Sequence, residues 1–104
     1  MIKVVNVDKT RQDYVYVGGA YPEKKLPASM LANPFPVYEE GDREKAMQEY
    51  HTYLSKEIKA KGPIYRYMLS LQLRAIQGDL VLGCRCKPKK CHGDVIKHIL
   101  ENGV

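Results

Sequence analysis

Residues 79–94 read D-L-V-L-G-C-R-C-K-P-K-K-C-H-G-D, from Asp79 to Asp94, and this stretch decides the fold. Asp79 to Cys84 is a short apolar run that fits a buried strand. Beyond it, Val95, Ile96, Ile99 and Leu100 recur at helical spacing before Gly103, so a last helix is expected to start around Gly93 or Asp94. A strand therefore hands over to a helix through about ten polar residues.

Upstream, two helices are expected. Ala46, Met47, Tyr50, Leu54 and Ile58 share one helical face after Asp42, a plausible N-cap, with Glu44 in the first turn and an end near Gly62-Pro63. A second helix should run from about Ile64 to Gln77 with Met68, Leu71, Ala75 and Ile76 inward and Gly78 past its end. Its Tyr65, Arg66, Tyr67 and Arg74 suggest a basic, aromatic outer face.

At the start of the chain, Ile2 to Val7 and Tyr14 to Val17 are β-branched-rich runs joined by a polar connector. Between Gly18-Gly19 and Gly41 stand Pro22, Pro27, Pro34 and Pro36, which exclude a long helix. Leu26, Met30, Leu31, Phe35 and Val37 are expected to pin this loop against the core. The order β-β-loop-α-α-β-α predicts one small α/β domain, a short sheet of three or four strands flanked by three helices. Ligand sites in such sheets lie beyond the carboxyl ends of the strands, which nominates Gly18-Gly19 and the Cys84 to Asp94 segment.

The chain has 104 residues, 44% hydrophobic and 28% charged, which fits a single domain and excludes collagen-like, coiled-coil and disordered classes. No run approaches the roughly 18 to 20 apolar residues of a membrane span, and Met1 to Lys9 lacks a signal-peptide core. No membrane partner is expected, and the cytoplasm, or a host's cytoplasm for a viral protein, is the expected location. The net charge of +5 is uneven: residues 1–52 hold seven Lys/Arg against eight Asp/Glu, and residues 53–104 hold ten against four. A positive second half raises the expectation of a phosphate-bearing partner, nucleotide or nucleic acid.

Three readings compete for the 84–94 segment. As a metal site, Cys84, Cys86, Cys91 and His92 are ligand types that zinc prefers, although C-x-C departs from the usual paired knuckles. As a reactive thiol, Cys91 sits near a helix start beside Lys89, Lys90 and His92, where a thiolate would be stabilised. His92 would then be a general acid or base, with no third triad member or oxyanion hole named by the sequence. As an anion site, the helix N-terminus with Arg85, Lys87, Lys89 and Lys90 would take phosphate, with Asp94 capping the helix, holding a ribose hydroxyl or orienting His92. Taken singly, Cys84 and Cys86 also fit small core residues, Asp94 a cap and His92 a packed loop histidine. All three cysteines fall between Cys84 and Cys91, an odd number suited to reduced thiols or metal, and C-x-C brings two of them near enough for strained redox chemistry.

The run V-Y-V-G, the tripeptide Asn33-Pro34-Phe35, the G-D-R-E-K-A-M-Q-E-Y-H-T-Y-L helix and the C-R-C-K-P-K-K-C-H-G-D ending together resemble the family called domain of unknown function 4326, over nearly the whole chain. The resemblance implies signature roles for Gly18, Asn33, Pro34, Phe35, Arg43, Tyr50, Cys84, Cys86, Pro88, Cys91, His92, Gly93 and Asp94. It implies an origin in bacteria, phages or archaea, supports the fold and the choice of site residues, and says little about the reaction, since the family has no settled activity. Gly19 stands where the family often has Arg, which removes a potential anion contact, and Ala32 stands where it often has Gly. Asn33 before Pro is held extended, its amide free to read a base or to tie the loop down; Phe35 fills the core or stacks on a base. Tyr65 and Tyr67 are open to the same two readings.

The expectation is a pocket of Gly18, Gly19, Asn33, Pro34, Phe35, Arg43 and the C-H-G-D turn that binds a nucleotide or nucleic-acid component. Any chemistry there would be hydrolysis or group transfer by Cys91, His92 and Asp94. The competing expectations are a non-catalytic nucleic-acid or protein-binding accessory module and a zinc-stabilised structural domain.

Overall fold

The computed structural model describes residues 1–35, 37–87 and 89–104. Pro36, one of the expected helix breakers, and Pro88, a signature position, lie outside the described residues. Strands β1 (Ile2–Asn6), β2 (Val15–Tyr16) and β3 (Leu80–Cys84) and helices α1 (Arg43–Lys59), α2 (Pro63–Gln77) and α3 (His92–Asn102) follow the expected order. The sheet has three strands in the order β1-β3-β2, all parallel, so the last strand lies between the first two.

That central place explains the composition of β3. Leu80, Leu82 and Cys84 are buried on one face, in register with Ile2, Val4 and Asn6 of β1. Helix α3 packs on β1 and β3, α2 packs on β3, and α1 packs on α2 and α3. Leu54, Tyr50, Met68, Leu71, Ile96 and Leu100 complete the buried core. On the opposite face Gly83 is pressed by Tyr14 and Val7: a Cβ there would lie 2.5 Å from the Tyr14 ring and 2.8 Å from Val7 Cγ1. A parallel strand buried on both faces has no room for a side chain at that point.

Each strand's hydrogen bonding runs slightly past its end, with Val7 N–H donating to Cys84 O and Val17 N–H to Gly83 O. All three carboxyl ends therefore meet at one edge of the sheet. The long connection from Gly18 to Gly41 contains two short 3-10 turns, Pro22–Lys24 and Glu40–Asp42, and is pinned chiefly by the buried Leu31, whose carbonyl accepts a 2.6 Å hydrogen bond from the Tyr50 hydroxyl.

Four local expectations need correction. Ile76 is 75% exposed, because it stands one residue, about 100°, round the helix from Ala75. Tyr67 turns towards the core margin, leaving Arg66 and Arg74 on the outer face. Met30 is exposed and does not pin the loop. Asp42 occupies the N-cap of α1 but makes no side-chain capping bond, the 3-10 turn before it leading straight into the helix. No helix is long and apolar enough to cross a membrane.

Gly83→Ala is expected to cost roughly 1–3 kcal/mol in urea unfolding, the range for overpacking a filled site. Gly41→Ala, with nothing within 4 Å of the added carbon, should stay within about 0.5 kcal/mol of the parent.

Candidate functional site

The turn from β3 to α3 is built around its sulfurs. Strand alternation turns Cys84 to the core side with Leu82, and the turn brings Cys91 back beside it, with the two Sγ atoms 3.2 Å apart and both residues buried. Cys91 is the N-cap of α3, so the helix begins at His92, one residue before its expected start. Its sulfur accepts the Asp94 backbone N–H, and the Asp94 carboxylate accepts the Cys91 N–H at 3.2 Å. This is a capping box with cysteine where serine or threonine usually stands. Gly93 is required by contact with β1, since a Cβ there would lie 2.9 Å from Val4 Cγ1.

The two thiols are hydrogen-bonded to each other. Cys84 accepts hydrogen bonds from the Cys91 thiol and from the backbone N–H groups of Cys86 and Lys87, which lower its pKa to about 6 against the opposition of burial. Cys91 moves the other way, held protonated by its bond to Cys84, by burial and by the nearby Asp94 carboxylate. The backbone N–H groups of Cys86 and Lys87 favour a thiolate on Cys84, whereas burial and the Asp94 carboxylate disfavour one on Cys91.

His92, 6% exposed, places its Nε2 2.5 Å from the Val17 carbonyl oxygen. A carbonyl only accepts, so Nε2 carries the proton. Burial lowers the His92 pKa, keeping the ring neutral, and Tyr50 packs edge-on against it at 5.2 Å between centroids. The histidine ties the start of α3 to the end of β2 and joins the two loops nominated by the strand order. Asp94 is occupied elsewhere: besides capping α3, it is ion-paired with Lys87.

The other cations of the turn are also engaged. Lys89 pairs with Glu40 at 3.3 Å and Lys90 with Glu44 at 3.2 Å. Arg43 pairs with Glu40, donates to the Lys90 carbonyl at 2.9 Å and lies against the Cys86 thiol. Arg85 stacks 3.7 Å above the centre of the Tyr21 ring. Asn6 Nδ2 donates to the Lys87 carbonyl at 2.7 Å, fastening the turn to β1. Among the described residues no group of three or more His, Cys, Asp or Glu is arranged to hold a metal ion.

The remaining candidates lie in the long loop. Gly18 admits the Tyr16 ring, whose hydroxyl donates to Gly19 O, and a Cβ at Gly18 would meet that hydroxyl at 2.6 Å. Asn33 ties the loop down, its Oδ1 accepting the Phe35 N–H at 2.9 Å, while Pro34 is exposed. Phe35 packs edge-on to Tyr53 and forms one wall of a groove of about 550 Å³ with Lys45, Gln48, Glu49, Thr52 and Lys56. Tyr53 and Tyr50 carry this aromatic line on to His92.

A second groove of about 540 Å³, not anticipated from the sequence, opens beside β1 and the turn. Lys3, Val5, Asn6, Lys9, Thr10, Arg11, Gln12 and Lys87 line it, four cations and no carboxylate. Among the described residues Lys3, Lys9 and Arg11 have no acidic partner within ion-pair distance. The only acid in residues 1–12, Asp8, is turned to Lys24 and Tyr21. Counting charge over half the chain hides this cluster; the K-T-R run at 9–11 is the signal that could have shown it.

A family model described as Domain of unknown function (DUF4326) matches residues 3–102. The "Uncharacterized 12.4 kDa protein in nrdA-td intergenic region" of Enterobacteria phage T4 is 41% identical over 61 residues, 59% of this chain. The chain spans about half the length, 51%, of that curated relative. No solved structure matches.

The His92 geometry predicts a pH dependence. Because the ring is harder to protonate folded than unfolded, the unfolded chain takes up the extra proton, so stability falls as pH drops below about 6.5 and levels off under the folded pKa. His92→Gln, which keeps an N–H donor but does not titrate, should flatten that part of the urea-unfolding profile. The thiol pair predicts a thiolate ultraviolet absorbance with a midpoint at about 6 that Cys84→Ser removes.

Proposed function

The chain belongs to the domain of unknown function 4326 family, and on that premise we propose that it binds the phosphate groups of a nucleic-acid strand in the groove beside β1. The observation that carries this reading is the groove's lining, four cations with no carboxylate, along the edge strand β1 of a parallel sheet. Lys87 is paired with Asp94, and the other three, Lys3, Lys9 and Arg11, form the kind of electrostatic footprint that a phosphate partner fits, whose counterions they would displace. Lys87 links the groove to the C-H-G-D turn, so the reading keeps the expected ligand class and moves its seat.

The cap of α3 favours this move. Phosphate at that helix start would meet the Asp94 carboxylate and compete with Cys91 for the Asp94 N–H. The internal bonds of His92 and Asp94 favour binding without catalysis: Nε2 serves Val17, and the carboxylate serves Lys87 and the Cys91 amide. Hydrolysis or group transfer by Cys91, His92 and Asp94 would require those bonds to open first.

The double reversal Lys9→Glu/Arg11→Glu should weaken binding of a labelled single-stranded oligonucleotide, measured by fluorescence anisotropy, by about tenfold or more. It should also lower the slope of log K against log salt by about 1 for each phosphate that is no longer neutralised. Lys89→Glu/Lys90→Glu, which alters cations already paired, should change affinity by less than about threefold. Binding that ignores salt, or that depends on Lys89 and Lys90 instead, would overturn the proposal.

A further inference from the structure

We propose that Cys84 and Cys91 are a reversible dithiol–disulfide couple, closed by a low-molecular-weight disulfide that reaches Cys91 from the α1–α3 side. The two sulfurs stand 3.2 Å apart, against about 2.05 Å in a disulfide, and each belongs to a fixed piece of backbone. Cys84 ends the central strand, its carbonyl accepting the Val7 N–H, and Cys91 caps α3. Closing the bond requires a small approach of side chains already in contact. Cys86, the nearer cysteine in sequence, is half-buried against Arg43, so the structure pairs Cys84 with Cys91 rather than with its C-x-C neighbour.

Access comes from a groove of about 360 Å³ lined by Glu44, Met47, His51, Lys90, Cys91, Asp94, Val95 and His98. Cys84 lies behind Cys91 with no exposure of its own. The order of attack follows. Once the pair has released one proton to solvent, the remaining proton rests on Cys84 while the Cys91 thiolate attacks one sulfur of the small disulfide, expelling a thiolate. Cys84 then gives the proton to that thiolate and attacks Cys91 Sγ, expelling the second thiolate. Two protein sulfurs lose two electrons in all, and the small disulfide becomes one thiol and one thiolate. An excess of small thiol reverses both steps.

The bond would fasten the ends of the segment that carries Arg85, Lys87, Lys89 and Lys90, making oxidation a covalent lock on the turn beside the groove. This inference rests on the sulfur geometry and stands whether or not nucleic acid binds.

The test incubates the reduced full chain in mixtures of reduced and oxidised glutathione, quenches with acid, alkylates free thiols and maps linkages by mass spectrometry. The expected product is lighter by two hydrogens, with Cys84 linked to Cys91 and Cys86 alkylated, and it returns to three free thiols in excess reduced glutathione. Cys86→Ser should give the same link. Three alkylated cysteines in oxidised glutathione alone, a bond that includes Cys86, or a glutathione adduct that stays on Cys91 without closing would each overturn the proposal.

Discussion

One hydrogen bond, from His92 Nε2 to the Val17 carbonyl, holds together the edge at which all three strands end. It joins residues 75 apart in sequence and fixes the start of α3 against the end of β2. The 3.2 Å sulfur contact between Cys84 and Cys91 fixes the same helix start to the end of β3, and Asn6 ties the turn to β1. Each strand of the sheet is thus connected to the turn by a different side chain. A buried polar group left without its partner costs about 1–3 kcal/mol, so these bonds succeed or fail as a set.

That constraint sets the electrostatics around it. Because the turn is held tightly, Lys87 reaches Asp94, while Lys89 and Lys90 fall opposite Glu40 and Glu44 at the start of α1. The densest basic stretch of the sequence is therefore balanced locally, and the cations without acidic partners lie across the sheet edge on Lys3, Lys9 and Arg11. The C-H-G-D motif shapes the site mainly by fixing the backbone, and the proposed ligand contacts come from residues outside the motif.

Much of the fold is legible in the sequence because it follows local periodicity. The helical faces of α1 and α3 and the apolar run of β3 appear within a few residues of their observed limits. The central position of β3 is not legible, since strand pairing is a long-range choice that alternation alone does not encode. Ile76 falls on the solvent side instead of the core because a one-residue step at a helix end turns a side chain from one to the other. Cys91 reads as a nucleophile and not as a cap because cysteine is outside the usual capping set, and its cap becomes visible only with the Asp94 geometry. The dense 84–94 segment coincides with the turn at which β3 hands over to α3. What each residue does there depends on partners such as Val17, Glu40 and Asn6, far away in sequence.

The central claim is that the C-H-G-D histidine is a neutral structural donor. Nitrogen-15 NMR of the His92 imidazole in the intact chain at pH 7 tests it most directly. A protonated Nε2, an unprotonated Nδ1 and slow exchange of the ring N–H with water are predicted. An Nδ1–H tautomer, or an imidazolium in rapid exchange with solvent, would contradict the account and return His92 to the role of acid or base.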